Sequence, residues 1–549
     1  MCVSVKASFK RLSGLVAVLL GCAACVHIDE NLGTDLIATN QLFDIYTAEI
    51  PLTDIRMEMA DSLTGLSSKR IAVGSVRDEV FGLTTRSCAL TLVPVSDTLD
   101  FGTDPQLREM HFSAALDTIS TPNEADRYLL QSIRVYELAE PLDLVNARTS
   151  AELPKGAAVT DGPVIFNGQD SLSFNFSRSY AERFFQLTLA DLDTMTHYTA
   201  KIPGILLEAD APVGNGGRIN LFELSCLAYS SSASSYYLNG NCVRLKFTAT
   251  YDGERKDTTF VFICGEPSLL DEQAYVDAGS RFPQYAYNLT GHQSKAITGR
   301  ATDRILVEGG GGLKPVIKAD ALAQAVKDEI SRKGGNPADA IISRAQLSLP
   351  FEYDGDADAL GSLYPSMLSP TCRIVSEESG ASFAGLSDSS ASTEDQGTIH
   401  RDLLRYSPDI AHHLQQILSL KDGADSEDYD IWLLVMATET TVTETSNANS
   451  SYYQNLAYYS YLNSLYNGYG GYGYGYGGYG YGGYGGYGYG YSNYYNYAMM
   501  AAMMSSSTTS TSTSTELDKD RYYKAVLNGP EAGGDRVPTL SITYALPRD

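Results

Sequence analysis

Short segments in which apolar and polar residues alternate recur through most of the chain, and this period-two pattern constrains the fold most. In the clearest segment the apolar side chains occupy one face and the polar ones the other: Val243, Leu245, Phe247 and Ala249 against Arg244, Lys246 and Thr248. Because successive strand residues point to opposite faces of a sheet, this pattern predicts a strand with one buried side. The turn Asp252-Gly253-Glu254 then precedes a second apolar run, Thr259–Ile263, which predicts a β-hairpin.

Other segments extend the β prediction along the chain. The further predicted strands are Ile45–Leu52, Ala89–Val95, Leu130–Tyr136, Asn220–Leu224, Arg304–Glu308, Ala345–Tyr353 and Thr539–Tyr544. The continuous apolar run Ile431–Ala437 predicts a central strand buried on both faces. Apolar residues at helical spacing predict one helix over Lys318–Lys333, which Gly334 and Gly335 end.

The first 21 residues have the pattern of a leader peptide. Its basic residues are Lys6, Lys10 and Arg11. The apolar run that follows, Leu12–Leu20, is shorter than the roughly 20 residues that span a bilayer. Leu19–Cys22 then reads as a bacterial lipobox, which predicts removal of the leader and acylation of a cysteine. An uncleaved signal anchor or a soluble secreted protein is the alternative.

Two cysteines compete for the lipid. Cys22 has an aliphatic residue at −3 and Gly at −1, whereas Cys25 has Cys22 and Ala24 at these positions, so the context favours Cys22 and leaves Cys25 as the alternative. If Cys25 is acylated, Asp29 and Glu30 follow it closely, and such an acidic patch resembles the surface-export signal of Bacteroidota lipoproteins. The leader therefore predicts a lipid-anchored envelope protein, and the resemblance of the acidic patch to the export signal implies that the body lies at the cell surface.

A low-complexity insert occupies residues 446–515. Nineteen of the 38 tyrosines fall between Tyr452 and Tyr497, and residues 468–491 contain only Gly and Tyr. Strands on both sides predict a long, disordered loop between two strands of one sheet. Tyrosine rings on a flexible backbone suit adhesion, self-association or stacking on sugar rings, and a tolerated repeat expansion is the alternative. The candidate ligand contacts are Tyr472, Tyr476, Tyr481 and Tyr487.

The predicted fold is mainly β: two jelly-roll-like antiparallel β-sandwich domains with a few short helices and a disordered Tyr/Gly-rich loop. A chain of 549 residues is long enough for more than one domain. The predicted ranges are 1–21 for the signal peptide, 22–40 for the lipidated tether, 41–275 for the first sandwich, 276–445 for the first part of the second, 446–515 for the loop and 516–549 for the closing strands.

Charge and cysteine content exclude several classes of protein. The formal net charge of −26 disfavours binding to nucleic acid or to anionic lipid headgroups. No CxxC pair is present among Cys88, Cys226, Cys242, Cys264 and Cys372, so zinc and redox motifs are absent. Cys226 and Cys242 flank a possible hairpin and are candidates for a disulfide, with buried thiols on strands as the alternative.

Metal and catalytic motifs are scarce. Asp354, Asp356 and Asp358 have the spacing that begins an oxygen-rich calcium loop, but Ala359 and Pro365 stand where the turn Gly and the bidentate Glu belong. This makes them a weak calcium candidate, with an acidic solvated turn as the alternative. No hydrolase, phosphate-loop or metalloprotease motif occurs, His412 and His413 are expected at the surface, and no cofactor is predicted.

Several motifs in a fixed order resemble one family. They are Asn31–Gly33, Ala72–Gly82, Ile305–Gly312 with its helix, Ile341–Leu349 and Tyr522–Asn528. This order is similar to the Bacteroidota outer-membrane lipoproteins catalogued as domain-of-unknown-function family four-two-seven-zero. The resemblance implies an outer-membrane lipoprotein and carries no activity or catalytic residue with it. Residues 304–353 also resemble carbohydrate-binding β-sandwich modules of the jelly-roll type, a likeness of fold alone.

These features predict a non-catalytic surface lipoprotein that acts as a subunit or scaffold of an outer-membrane protein complex. The alternative is a glycan-binding or adhesive lipoprotein, and a hydrolase with an unrecognised site is a third hypothesis.

Overall fold

The computed structural model describes residues 43–95, 99–230, 235–238, 240–264, 285–292, 297–355, 360–361, 363–376, 380–390, 395–421, 425–443, 510–518 and 521–548. In these ranges the fold is mainly β, with antiparallel sheets and a few short helices, as the sequence predicts. In the described part of the chain, no helix is long and apolar enough to cross a bilayer.

The strands of the first part of the chain are β1 (Phe43–Pro51), β2 (Ile55–Met59), β3 (Leu66–Ser67), β4 (Arg70–Asp78), β5 (Gly82–Leu90), β6 (Leu92–Pro94), β7 (Thr103–Ser120), β8 (Gln131–Leu138), β9 (Lys155–Ala158), β10 (Val164–Phe166), β11 (Ser171–Asn175), β12 (Ile205–Ala209), β13 (Gly216–Glu223), β14 (Leu227–Ser230), β15 (Ser235–Leu238), β16 (Cys242–Tyr251), β17 (Glu254–Cys264) and β18 (Ala286–His292).

Those of the second part are β19 (Gly299–Arg300), β20 (Arg304–Glu308), β21 (Leu313–Ile317), β22 (Ile341–Pro350), β23 (Met367–Ser376), β24 (Gly380–Gly385), β25 (Ile399–His400), β26 (Arg405–Tyr406), β27 (Ile431–Thr443), β28 (Ser510–Leu517), β29 (Lys524–Asn528) and β30 (Thr539–Pro547). The α-helices with described bounds are α1 (Arg178–Glu182), α2 (Leu189–Leu192), α3 (Met195–Lys201), α4 (Ala319–Arg332) and α5 (Ala411–Leu418).

The structure has two bodies, and the first, which holds β3–β18, is built on one large sheet. Its strand order is β10-β8-β12-β5-β4-β13-β7-β16-β17-β6, with β9, β11, β18 and β3 attached beside this path. Strands β5 and β6 are consecutive in the chain, separated by Thr91, and β6 is the last strand of this order. The sheet therefore wraps around an aromatic core. Phe112 and Phe174 stack there with ring centroids 4.8 Å apart, and Phe184 packs edge-on against Phe262.

The predicted hairpin in this body is confirmed. Strands β16 and β17 pair up to Tyr251 and Glu254, so Asp252 and Gly253 form a two-residue loop. Both loop residues have positive φ, 52° and 83°, which is the conformation that Asp-Gly turns favour. The apolar face of β16 is buried as predicted, and Thr248 on the polar face is buried as well.

The second body holds a five-stranded sheet, β1-β30-β22-β26-β25, and a seven-stranded sheet, β19-β2-β21-β27-β23-β24 with β28 paired to β27. Its core lies between these sheets and the helices α4 and α5. Residues Ile431–Ala437 of β27 are all at most 3 % exposed, which confirms a central strand buried on both faces. Helix α4 also confirms its prediction: it ends where Gly334 adopts a φ of 84°.

Strand pairing assigns the start of the chain differently from the predicted domain ranges. The predicted range of the first sandwich is 41–275, but β1 pairs with β30 and β2 pairs with β21. Residues 43–59 therefore belong to the second body. Conversely β18, from the range 276–445, pairs with β5 in the first body. The hydrophobic pattern of β1 identifies a strand but contains no information about a partner almost 500 residues away.

Candidate functional site

The strongest concentration of buried charge lies where the two bodies meet, and we call it the junction cluster: Thr84, Arg86, His292, Glu308, Lys314 and Lys524. Its centre is Glu308, the last residue of β20, and this residue is only 1 % exposed. One carboxylate oxygen lies 2.9 Å from His292 Nε2, and the other accepts a hydrogen bond from Thr84 Oγ1 at 2.9 Å. Glu308 therefore connects its own strand pair to β18 and β5 of the first body.

Lys524 is the cation that faces this carboxylate. It lies directly opposite Glu308 in the β20–β29 pair, and its Nζ is 3.5 Å from a Glu308 oxygen. The same Nζ lies 4.7 Å from the ring centroid of Phe81 and 4.6 Å from that of Tyr522. The cation–π contacts with the two rings and the ion pair with the carboxylate stabilise this ammonium group, which is otherwise removed from water.

Lys314 organises the glycine loop between β20 and β21. Its Nζ donates to the backbone carbonyls of Glu308, Gly310 and Gly312, the last two at 2.8 and 3.2 Å. Arg86 Nη2 donates to the carbonyl of Gly309 at 3.0 Å. Gly312 leaves no room for a side chain, because a Cβ there would lie 2.5 Å from the Cβ of Glu308.

The pKa values in the junction cluster shift in directions set by burial and by charge. Burial raises the pKa of Glu308, but the hydrogen bond and charge of His292, the charge of Lys524 and the Thr84 hydrogen bond outweigh it and lower the pKa to about 2. Burial lowers the pKa of Lys314 to about 7, opposed by the charge of Glu308. Burial also lowers the pKa of Lys524. Glu308 is thus an ionised structural anion, which does not suit it to act as a general acid.

A second pair, the half-buried Cys372 and the buried His413, has the residue types of a thiol nucleophile. Cys372 Sγ lies 3.7 Å from His413 Nε2, and this nitrogen is 2.9 Å from the carbonyl oxygen of Tyr429. Burial, helped by the charges of nearby aspartates, raises the pKa of the Cys372 thiol to about 12, and burial lowers the pKa of His413. A protonated thiol beside a neutral imidazole is not an activated nucleophile.

The prediction that both histidines lie at the surface is wrong for one of them. His412 is exposed but His413 is 3 % exposed. The backbone N–H groups of both donate to the carboxylate of Asp388, which lies at the N-terminus of α5. This contact orients the first turn of α5 and turns His413 inward.

Strands β27 and β28 form a ribbon that carries the ends of the low-complexity segment. β27 pairs with β23 only as far as Met436, whereas its pairing with β28 continues to Thr443 and Ser510. In the described ranges no other strand pairs with Ala437–Thr443, so the ribbon extends about 20 Å beyond the last rung that it shares with β23. The predicted position of the insert between two strands of one sheet is confirmed, and Ser510–Leu517 belongs to β28 rather than to the loop.

The sequence-predicted site residues are only partly described. Cys22, Cys25, Tyr472, Tyr476, Tyr481, Tyr487, Asp356 and Asp358 lie outside the described residues. Asp354 is exposed after β22. Within the described ranges no group of three or more His, Cys, Asp or Glu side chains is placed to hold a metal ion. Cys226 and Cys242 are both buried thiols.

The junction cluster was not predicted from the sequence, although a signal for it was present. Glu308 ends the apolar run of β20, and Lys314 lies within the buried strand β21; a charge in such a position indicates a buried partner. Three of the motifs that carried the resemblance, Ala72–Gly82, Ile305–Gly312 and Tyr522–Asn528, meet here. The three segments, which are far apart along the chain, are therefore in contact at the junction of the bodies.

Comparison with protein-family models, curated proteins and solved structures finds no match to this chain.

Proposed function

We propose that this protein is a lipid-anchored outer-membrane protein, exposed at the cell surface, whose body is a non-catalytic subunit or scaffold of an envelope assembly. The observation that carries the proposal is the β27–β28 ribbon, which extends beyond the rest of its sheet and joins residues 444–509 to the body. The ends of the ribbon, Thr443 and Ser510, lie beyond the part of β27 that pairs with β23, so a partner can contact them without any rearrangement of either core.

The N-terminal strand is compatible with an anchor upstream. β1 is an edge strand that pairs only with β30 among the described strands, and it begins at Phe43. From Cys22 to Phe43 a fully extended chain reaches roughly 70 Å. An acyl group on Cys22 therefore leaves the body free to stand clear of the bilayer surface.

The chemistry of the buried ionisable groups supports a non-catalytic role. Glu308, Lys314 and Lys524 are each at most 7 % exposed. Glu308 contacts His292 and Thr84 of the first body. Lys524 pairs with Glu308, and Lys314 bonds the carbonyls of the glycine loop. The Cys372 thiol, with a pKa near 12, stays protonated at neutral pH. These groups have the properties of structural residues.

The second candidate function is glycan binding or adhesion through the Tyr/Gly segment. The observation that favours it is the concentration of tyrosine between the two strands of the ribbon. Aromatic rings present an apolar face with a polar tip, which suits stacking on sugar rings.

One experiment separates the two candidates. A peptide tag is inserted after Gly214, where the neighbouring Val213 is fully exposed and a Cβ at Gly214 meets nothing within 4 Å. Membranes are extracted in mild detergent, and the co-purifying proteins are identified for the full chain and for a chain that lacks residues 468–491. A defined outer-membrane partner, lost on deletion, supports the assembly role. A protein that purifies alone but loses binding to a glycan array on deletion supports the adhesive role.

The anchor is tested separately. Metabolic labelling with a palmitate analogue is compared for the full chain and for Cys22→Ser and Cys25→Ser. Loss of label in Cys22→Ser alone assigns the lipid to Cys22, and loss in Cys25→Ser alone assigns it to Cys25. Label retained in both single variants and in the double variant overturns the lipid anchor.

A further inference from the structure

A pocket lies at the edge of the seven-stranded sheet, far along the chain from the ribbon. It has a volume of about 380 Å³ and is lined by Thr53, Asp54, Arg56, Gly299 and Arg300. The first three residues come from the turn before β2 and from β2 itself, and the last two form the edge strand β19. This volume is within the range of small-molecule sites.

Two arginines face each other across the strands that form this pocket. Arg56 and Arg300 are directly opposite in the β2–β19 register, so their side chains leave the same face of the sheet. Like charges directly opposite each other destabilise a strand pair. Two guanidinium groups therefore lie side by side at this edge of the sheet.

Each guanidinium is only partly engaged by the protein. Arg56 Nε lies 3.6 Å from a carboxylate oxygen of Asp54, and Arg300 Nη2 lies 3.3 Å from one of Glu531. Arg300 Nε also donates to the carbonyl of Thr53 at 3.3 Å. A guanidinium has five N–H donors, so both side chains, which are about half exposed, retain donors for a ligand.

The glycine in the wall is required by its backbone conformation. Gly299 has a φ of 125°, a conformation that residues with a Cβ rarely adopt, and a Cβ built there would meet nothing within 4 Å. The position therefore requires glycine for its backbone conformation.

We propose that this pocket binds an acidic sugar through its carboxylate or sulfate group, with Arg56 and Arg300 as the two anion-binding residues. Planar guanidinium groups bind such oxyanions with paired hydrogen bonds. Asp54 and the Thr53 hydroxyl supply acceptors for sugar hydroxyl groups beside the anion. The site uses neither the lipid anchor nor the Tyr/Gly segment, so a test of binding in this pocket is independent of the proposed function.

Binding is measured by titration calorimetry or NMR with the full mature chain, using glucuronate, glucosamine 6-sulfate, glucose and inorganic phosphate as probes. We expect glucuronate or glucosamine 6-sulfate to bind at least tenfold more tightly than glucose and phosphate. Arg56→Gln and Arg300→Gln are each expected to weaken that binding at least tenfold. Arg344→Gln, at an exposed arginine whose guanidinium donates to Gln346 at 3.2 Å, is the matched control and is expected to leave binding unchanged.

Each remaining outcome overturns the proposal. Phosphate that binds as tightly as the acidic sugars shows a simple anion site without a sugar contact. No binding of any probe, or binding that survives in both pocket variants, shows that the two arginines form no such site. Both arginines are surface residues outside the core, so we expect the variants to fold. Circular dichroism of the variants checks this.

Discussion

Glu308 and His292 are joined at 2.9 Å between a carboxylate oxygen and Nε2, although the two residues belong to different sheets in different bodies. Their side chains are each 2 % exposed. A contact of this kind transmits the stability of one body to the other, because separating them leaves a carboxylate without its partners.

Removing the charge of Glu308 is therefore expected to destabilise the whole protein. Glu308→Gln keeps the shape of the side chain but leaves Lys524 buried without its anion, and breaking a buried pair in this way costs about 3 kcal/mol. Denaturant unfolding followed by circular dichroism measures the free energy of unfolding. The control is Glu352→Gln, whose exposed contact with Arg536 at 3.0 Å predicts a loss below about 1 kcal/mol. Equal effects of the two variants would contradict the role of the junction cluster.

The same carboxylate predicts a specific sensitivity to acid. The pKa of Glu308 is lowered from 4.5 to about 2, so the folded state binds its proton less tightly than the unfolded chain does. The stabilisation is complete above pH 4.5 and is lost as the pH falls through about 2, and it amounts to about 3 kcal/mol. Unfolding measured from pH 6 to pH 2 tests this. The slope in the acid range should be smaller in Glu308→Gln than in the unchanged protein, and parallel curves would rule out the assignment.

Local patterns predict the elements of this fold better than they predict its long-range pairing. The hairpin at Asp252 and Gly253 and the buried strand Ile431–Ala437 follow from sequence periodicity and turn chemistry, both of which act over a few residues. The pairing of β1 with β30 does not follow, because alternation specifies a face but not a partner.

The junction cluster escaped prediction for a related reason. A charged residue in isolation is assigned to the solvated surface, and Glu308 becomes a buried anion only because Thr84, His292 and Lys524 are brought to it from three other strands. Its partners are identifiable only after the sheets have been assembled.

Cys372 is expected to react slowly with alkylating reagents in the native protein. Burial raises the pKa of its thiol to about 12, so very little thiolate is present at pH 8. Iodoacetamide labelling followed by peptide mass spectrometry should show little modification of Cys372 until the protein is unfolded in denaturant. Rapid labelling of the native protein at pH 8 would instead show an activated thiol and would reopen the hypothesis of an enzyme.

Shortening the segment between the strands of the ribbon is expected to leave stability nearly unchanged. Deletion of residues 468–491 removes none of the residue pairs between β27 and β28. The entropy of loop closure depends only weakly on length, so the free energy of unfolding should change by less than about 0.5 kcal/mol. Thermal and denaturant unfolding of the two chains provide the comparison. A large loss of stability would mean that the segment packs on the body, and the binding results for this deletion would then need a different interpretation.

Replacement of Arg218 is expected to destabilise the first body strongly. Arg218 is 1 % exposed, and its guanidinium donates to Asn220 Oδ1 at 2.8 Å and to the carbonyls of Asp126, Leu129 and Phe166.

Arg218→Met retains the apolar stem but removes this donor from the buried Asn220 Oδ1 and from the buried carbonyl of Phe166, for which we expect a loss of about 3 kcal/mol in the free energy of unfolding. Arg344→Met, at an exposed position, should change it by less than about 0.5 kcal/mol. Amide hydrogen exchange locates the effect: because Arg218 donates to the carbonyls of Asp126, Leu129 and Phe166, protection should fall first around these residues. A uniform loss of protection across the large sheet would show that Arg218 supports the whole sheet and not this edge in particular.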